Sequence, residues 1–108
     1  MKFLTIAQLK ETADRQRVRD LMDEHARAMW LLHKEQSVRS IEQLADRPGV
    51  ALIIECDLLS DVETLLQRLP LMREGLTTAE TFSLKPYDAW ERLFHGSGST
   101  SAGVREPR

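Results

Sequence analysis

The stretch "VALIIEC", Val50 to Cys56, constrains the fold more than any other part of the chain. Val50, Leu52 and Ile54 alternate with Ala51 and Ile53, so an extended conformation presents hydrocarbon on both sides. Such a strand belongs in the middle of a sheet, with cover on both faces. The preceding "DRPG" supplies turn chemistry through Pro48 and Gly49, and Val38 to Ala45 before it is a half-polar strand. These two strands form a hairpin.

The other elements follow from periodicity. Lys2 to Leu9 alternates, with Phe3, Thr5, Ala7 and Leu9 on one side and Leu4 and Ile6 on the other. It reads as a first strand rather than a signal peptide, because the apolar run turns polar without a small-residue cleavage site. "KETADRQ" is a polar connection in which Thr12 or Asp14 is placed to cap a helix from about Arg15 to Glu35. "LLSDVETLLQRLP" predicts a shorter helix with Ser60 as N-cap, Glu63 completing a capping box, and Pro70 ending it. Its buried stripe is Val62, Leu65, Leu66 and Leu69. "GLTTAETFSL" is the last strand, and "KPYDAWERLF" is an amphipathic segment whose Tyr87, Trp90, Leu93 and Phe94 are suited to docking on a neighbouring surface.

The order strand, helix, strand, strand, helix, strand predicts an α+β fold of the ferredoxin-like βαββαβ type. It has a four-stranded antiparallel sheet with both helices on one face. The expected domain spans residues 1–94, and the Gly/Ser-rich residues 95–108 read as a disordered tail. Helices on one face leave the other side of "VALIIEC" bare, so a homodimer packed sheet against sheet is expected.

Composition narrows the function classes. The 15 Lys and Arg residues are scattered among 17 acids for a net charge of −2, with no basic run to bind nucleic acid. No apolar stretch approaches the ~20 residues of a membrane span. Cys56 is the sole cysteine, which excludes an internal disulfide and makes the cytoplasm the default compartment.

The long helix carries the candidate chemistry. At about 100° per residue, Val18, Leu21, Met22, Met29 and Leu32 share a side, and His25 falls near the middle of that stripe. His25 is either a partly buried imidazole satisfied by a neighbour or the polar group of a pocket between helix and sheet. His33 lies eight positions on and about 80° round, flanking the stripe. That spacing does not suit a same-face metal pair, and no metal site is expected. Trp30, about 120° from Val18, suggests a subunit contact or a pocket rim. Met22, Met29 and Met72 fill core gaps, with Met72 placed to border a cleft. Glu42, Glu55 and Glu80 each lie in a strand: either two of them face one cavity and shift each other's ionisation, or they sit at solvated edges or pair with Arg39 or Arg47. Cys56 has no adjacent base and reads as an inert thiol.

The run from Val50 to Leu84 resembles the second half of muconolactone isomerase and its small relatives: an apolar strand, a short helix ending in Leu-Pro-Leu, here Leu69-Pro70-Leu71, and a strand carrying a Glu, here Glu80. The first half is similar in layout. The resemblance implies a dimeric α+β barrel and cofactor-free proton transfer on a small lactone, cyclic or unsaturated organic acid. Those isomerases carry an acidic, Asp-Glu-Lys-like run in the first helix. Here Asp23-Glu24-His25-Ala26 stands at that place, with His25 at the Glu position and Ala26 at the Lys position. Taken with the stripe, the expected proton-transferring residue is His25, oriented by Glu24 or Glu80, with Met22, Met29, Trp30, Met72 and Tyr87 expected around the substrate. The same barrel also hosts cofactor-independent monooxygenases and cyclases, for which Trp30 and Tyr87 would matter, and non-catalytic binding or assembly proteins.

Overall fold

The computed structural model describes residues 1–94; the tail expected at 95–108 lies outside them. Strand β1 is Lys2–Leu9, helix α1 Arg15–Lys34, strand β2 Val38–Gln43, and strand β3 Gly49–Glu55. Helix α2 is Leu59–Leu66, the short helix α3 Pro70–Arg73, and strand β4 Thr77–Leu84. A 3-10 turn follows at Ala89–Leu93. The strands form one antiparallel sheet in the order β2-β3-β1-β4, which is the ferredoxin-like βαββαβ arrangement. Among the described residues no helix is long and apolar enough to cross a membrane.

Register settles the two faces of the sheet. Phe3, Thr5 and Ala7 of β1 pair with Ile54, Leu52 and Val50 of β3, and all six point toward the helices. There Phe3, Leu52 and Ile54 meet Met29 and Leu32 of α1 and Val62, Leu65 and Leu66 of α2 in a single core. Thr5, fully buried, is satisfied by a hydroxyl–hydroxyl bond of 2.8 Å to Thr81 on β4. Strand β2 has a bulge between Val38 and Ser40. The bulge puts Val38 and Ile41, three positions apart, on the same inward face, which a regular period of two forbids.

The opposite face carries Leu4, Ile6, Ala51 and Ile53, half-buried only by their neighbours, together with exposed Phe82. Across it runs the row Glu42, Ala51, Ile6, Glu80, two apolar residues between two acids. Among the described residues nothing packs over this face, as anticipated from "VALIIEC".

Of the two caps expected for α1, Asp14 serves, its carboxylate accepting from the Gln16 N–H at 3.0 Å. Two local expectations are corrected. Ser60 is not the cap of α2 but lies inside it. The helix starts after Leu58, whose N–H donates to the Asp61 carboxylate at 3.0 Å, so Asp61 performs the capping assigned to Ser60 and Glu63. Pro70 does not end α2. The helix stops at Leu66, and Pro70 opens α3 at its first position, where a missing N–H costs nothing.

Candidate active site

The helix–sheet interface is not equally filled along its length. On β1 the inward side chains shrink from Phe3 through Thr5 to Ala7, and on β3 from Ile54 and Leu52 to Val50, with Gly49 beyond. Gly49 is required there. A Cβ at that position would sit 2.5 Å from the Ala7 carbonyl oxygen and 3.0 Å from Leu44. At the Phe3 end, α2 and the second half of α1 close the layer. At the Ala7 end, tapering side chains and the four-residue α3 leave a cavity of about 320 Å³. It is walled by Val18, Met22, His25, Ala26 and Met29 of α1, by Leu69, Leu71 and Met72, and by Ala7, Ile41, Gln43 and Val50 of the sheet. A second recess of about 330 Å³ lies between α2 and β4. Among the described residues its ionisable lining residue, Glu63, is exposed and has no positioned partner, so the first cavity is the better candidate.

His25 is half-buried in this wall, and its Nδ1 accepts a hydrogen bond from the Leu71 N–H at 3.3 Å. The cause is local. Pro70 has no N–H, while the Met72 and Arg73 N–H groups both reach the Leu69 carbonyl. Leu71 therefore holds the orphan donor of the first turn of α3, and His25 satisfies it. Burial lowers the His25 pKa from its ordinary value of 6.5. The two features singled out in the sequence, the histidine in the stripe and Leu-Pro-Leu, are one structure built from residues 46 positions apart.

The other site candidates divide. Met22, Met29 and Met72 line the cavity with His25. Glu24 is exposed and pairs with Arg73 at 3.1 Å, so it braces α3 against α1 instead of orienting the imidazole. Arg17 adds a two-pronged bond to Glu74, at 2.9 and 2.6 Å, which holds the Glu74 carboxyl below its ordinary range. Glu80 pairs in register with Ile6 and stands on the bare face, on the other side of the sheet from His25. Trp30 is 60% exposed, beside His33 at a ring separation of 6.2 Å, and does not border the cavity. Tyr87 is likewise exposed, packing edge-on to Trp90 at 5.2 Å. The remaining strand acids do not converge: Glu42 is exposed on the bare face and Glu55 pairs with the Met1 amine at 2.9 Å. Gln43 and Thr77 are cavity polar residues that periodicity does not flag; for Gln43 the reason is the β2 bulge, which turns it to the same face as Ile41. Thr77 is engaged already, its hydroxyl donating to the Met72 sulfur at 2.7 Å.

No protein-family description matches the chain, and no curated protein matches it. Among solved structures, the chain is similar to 5-chloro-2-hydroxyhydroquinone dehydrochlorinase from Burkholderia phenoliruptrix AC1100, determined in complex with 2,5-dihydroxybenzoquinone. The TM-score is 0.66 at 17% sequence identity, covering 82% of this chain and 98% of that one. The two share a fold.

Proposed function

We propose that this protein is a small cytoplasmic, cofactor-independent enzyme of the muconolactone isomerase type. It acts on a small lactone or other cyclic oxygenated molecule in the α1–sheet cavity. The observation that carries this reading is the seating of His25: one polar ring, fixed by a backbone N–H, in an otherwise mainly apolar wall. That combination suits a site that encloses a ring and addresses one of its polar atoms. The similar dehydrochlorinase was determined with a cyclic quinone, which agrees with a ring-sized ligand. The reaction class is proton transfer, in which a C–H proton leaves one ring carbon and a proton is added at another.

The reading extends to a homodimer, with the face carrying Leu4, Ile6, Ala51, Ile53 and Phe82 covered by a second copy. Two other readings are less well supported. A monooxygenase or cyclase would rely on Trp30 and Tyr87, which stand outside the cavity. A pure scaffold would be expected to fill the helix–sheet space, which is open here.

The test is incubation of butenolides and hydroxylated quinols with the full chain in D₂O, followed by proton NMR. Enzyme-dependent isomerisation or ring deuteration is expected, and it should fall at least tenfold in His25→Ala. A folded, dimeric His25→Ala protein with undiminished turnover would remove His25 from the mechanism.

A further inference from the structure

The direction of the Leu71 hydrogen bond limits what His25 can do. A backbone N–H only donates, so Nδ1 must be the unprotonated acceptor, and a neutral ring then carries its proton on Nε2. Nε2 has no protein partner among the described residues. His33, on the same helix, is held the opposite way: its Nδ1 lies 3.0 Å from the Val38 carbonyl oxygen, which only accepts, so Nδ1 is protonated there. The wall around His25 adds a second constraint. None of the described residues lining the cavity is Lys, Arg, Asp or Glu, and among them the other polar side chains are Gln43 and Thr77, the latter already spent on Met72. A carboxylate entering this space meets no counter-ion among the described lining residues.

We infer that His25 is a neutral hydrogen-bond donor, presenting Nε2–H to a carbonyl or hydroxyl oxygen of an uncharged ring-sized ligand, and is not the proton-abstracting base. The inference rests on the small-molecule reading of the cavity and narrows its substrate class to neutral cyclic esters, ketones or phenols. A fixed N–H aimed at a carbonyl oxygen stabilises negative charge that builds there when an adjacent C–H proton is lost, and a neutral imidazole suffices for that role.

The experiment uses the full chain with ¹⁵N-labelled histidine. Long-range ¹H–¹⁵N correlation at pH 7.5 is expected to show His25 protonated on Nε2 and His33 on Nδ1. Muconolactone and its methyl ester, the same ring with and without a charge, are then titrated. The ester is expected to bind at least tenfold more tightly than the acid and to shift the His25 Nε2–H signal. His25→Gln, whose amide N–H stands near the place of Nε2–H, should keep ester binding within about threefold, while His25→Ala loses roughly tenfold, the worth of one hydrogen bond. A His25 ring protonated on Nδ1 overturns the donor assignment whatever binds. An acid that binds as tightly as the ester overturns the uncharged-ligand assignment and leaves the cavity reading standing. Silence from both probes, with the Nε2–H form in place, overturns the ligand assignment and counts against the proposed function itself.

Discussion

The two ends of the α1–sheet interface are made from the same elements and do different things. At the Phe3 end, Leu32, Val38 and Ile54 are fully buried and α2 lies across them. At the Ala7 end, Ala26 and Met22 of the same helix stand over a cavity, and Met22 is 41% exposed. The difference is side-chain volume and helix length. Phe3 with Ile54 fills the layer where Ala7 with Val50 does not, and the four-residue α3 gives less cover than α2. A closed end fixes the angle between helix and sheet, so the open end can keep a void without collapsing.

The comparison breaks most sharply by truncating the closed end. Leu32→Ala removes a fully buried side chain and should cost about 2–5 kcal/mol, measured by urea unfolding. Ala26→Phe at the open end is expected to change stability by less than about 1 kcal/mol, since helix propensities differ by only fractions of that, and to abolish ligand binding. If both variants lose stability equally, the two ends are packed alike and the cavity is not preformed. Next in size is the bare face. Ile53→Lys should leave the fold intact and convert a dimer to a monomer, read by light scattering after size exclusion. A wild-type protein that is already monomeric at micromolar concentration would leave that face to some other cover.

A smaller effect concerns pH. His25 has a lowered folded pKa, so the unfolded chain binds more protons as pH falls below the ordinary 6.5. Stability at the open end is therefore full above about pH 6.5 and is lost as pH falls through the lower folded value. His25→Gln should flatten that part of the curve, and an unchanged curve would mean that His25 is not desolvated. The smallest effect is expected for Glu24→Gln. It removes one exposed ion pair with Arg73 and should leave the melting temperature almost unmoved, because water screens such pairs. A large drop would show that α3, and with it the Leu71 donor, depends on that brace.

Much of this architecture was legible in the residues. The two-sided apolar pattern of Val50–Cys56 required a central strand, and alternation in Lys2–Leu9 sorted Phe3, Thr5 and Ala7 from Leu4 and Ile6. The helical stripe placed His25 toward the sheet and Trp30 away from it. These features are local: a period of 2 or 3.6 sets which side chains share a face before any tertiary contact forms. The fold decided what depends on distant pairing. Glu80 lies in a well-predicted strand, but only register with Ile6 shows that it points away from His25. Ser60 was the cap expected for α2, but the helix starts after Leu58, and it is Asp61 whose carboxylate accepts the Leu58 N–H. Nothing in "MDEHARAMWLLH" says which ring nitrogen of His25 is protonated. That was fixed by one N–H left over beyond Pro70, brought 46 positions along the chain by the packing of α3 on α1, because a buried donor must find an acceptor wherever the fold carries it.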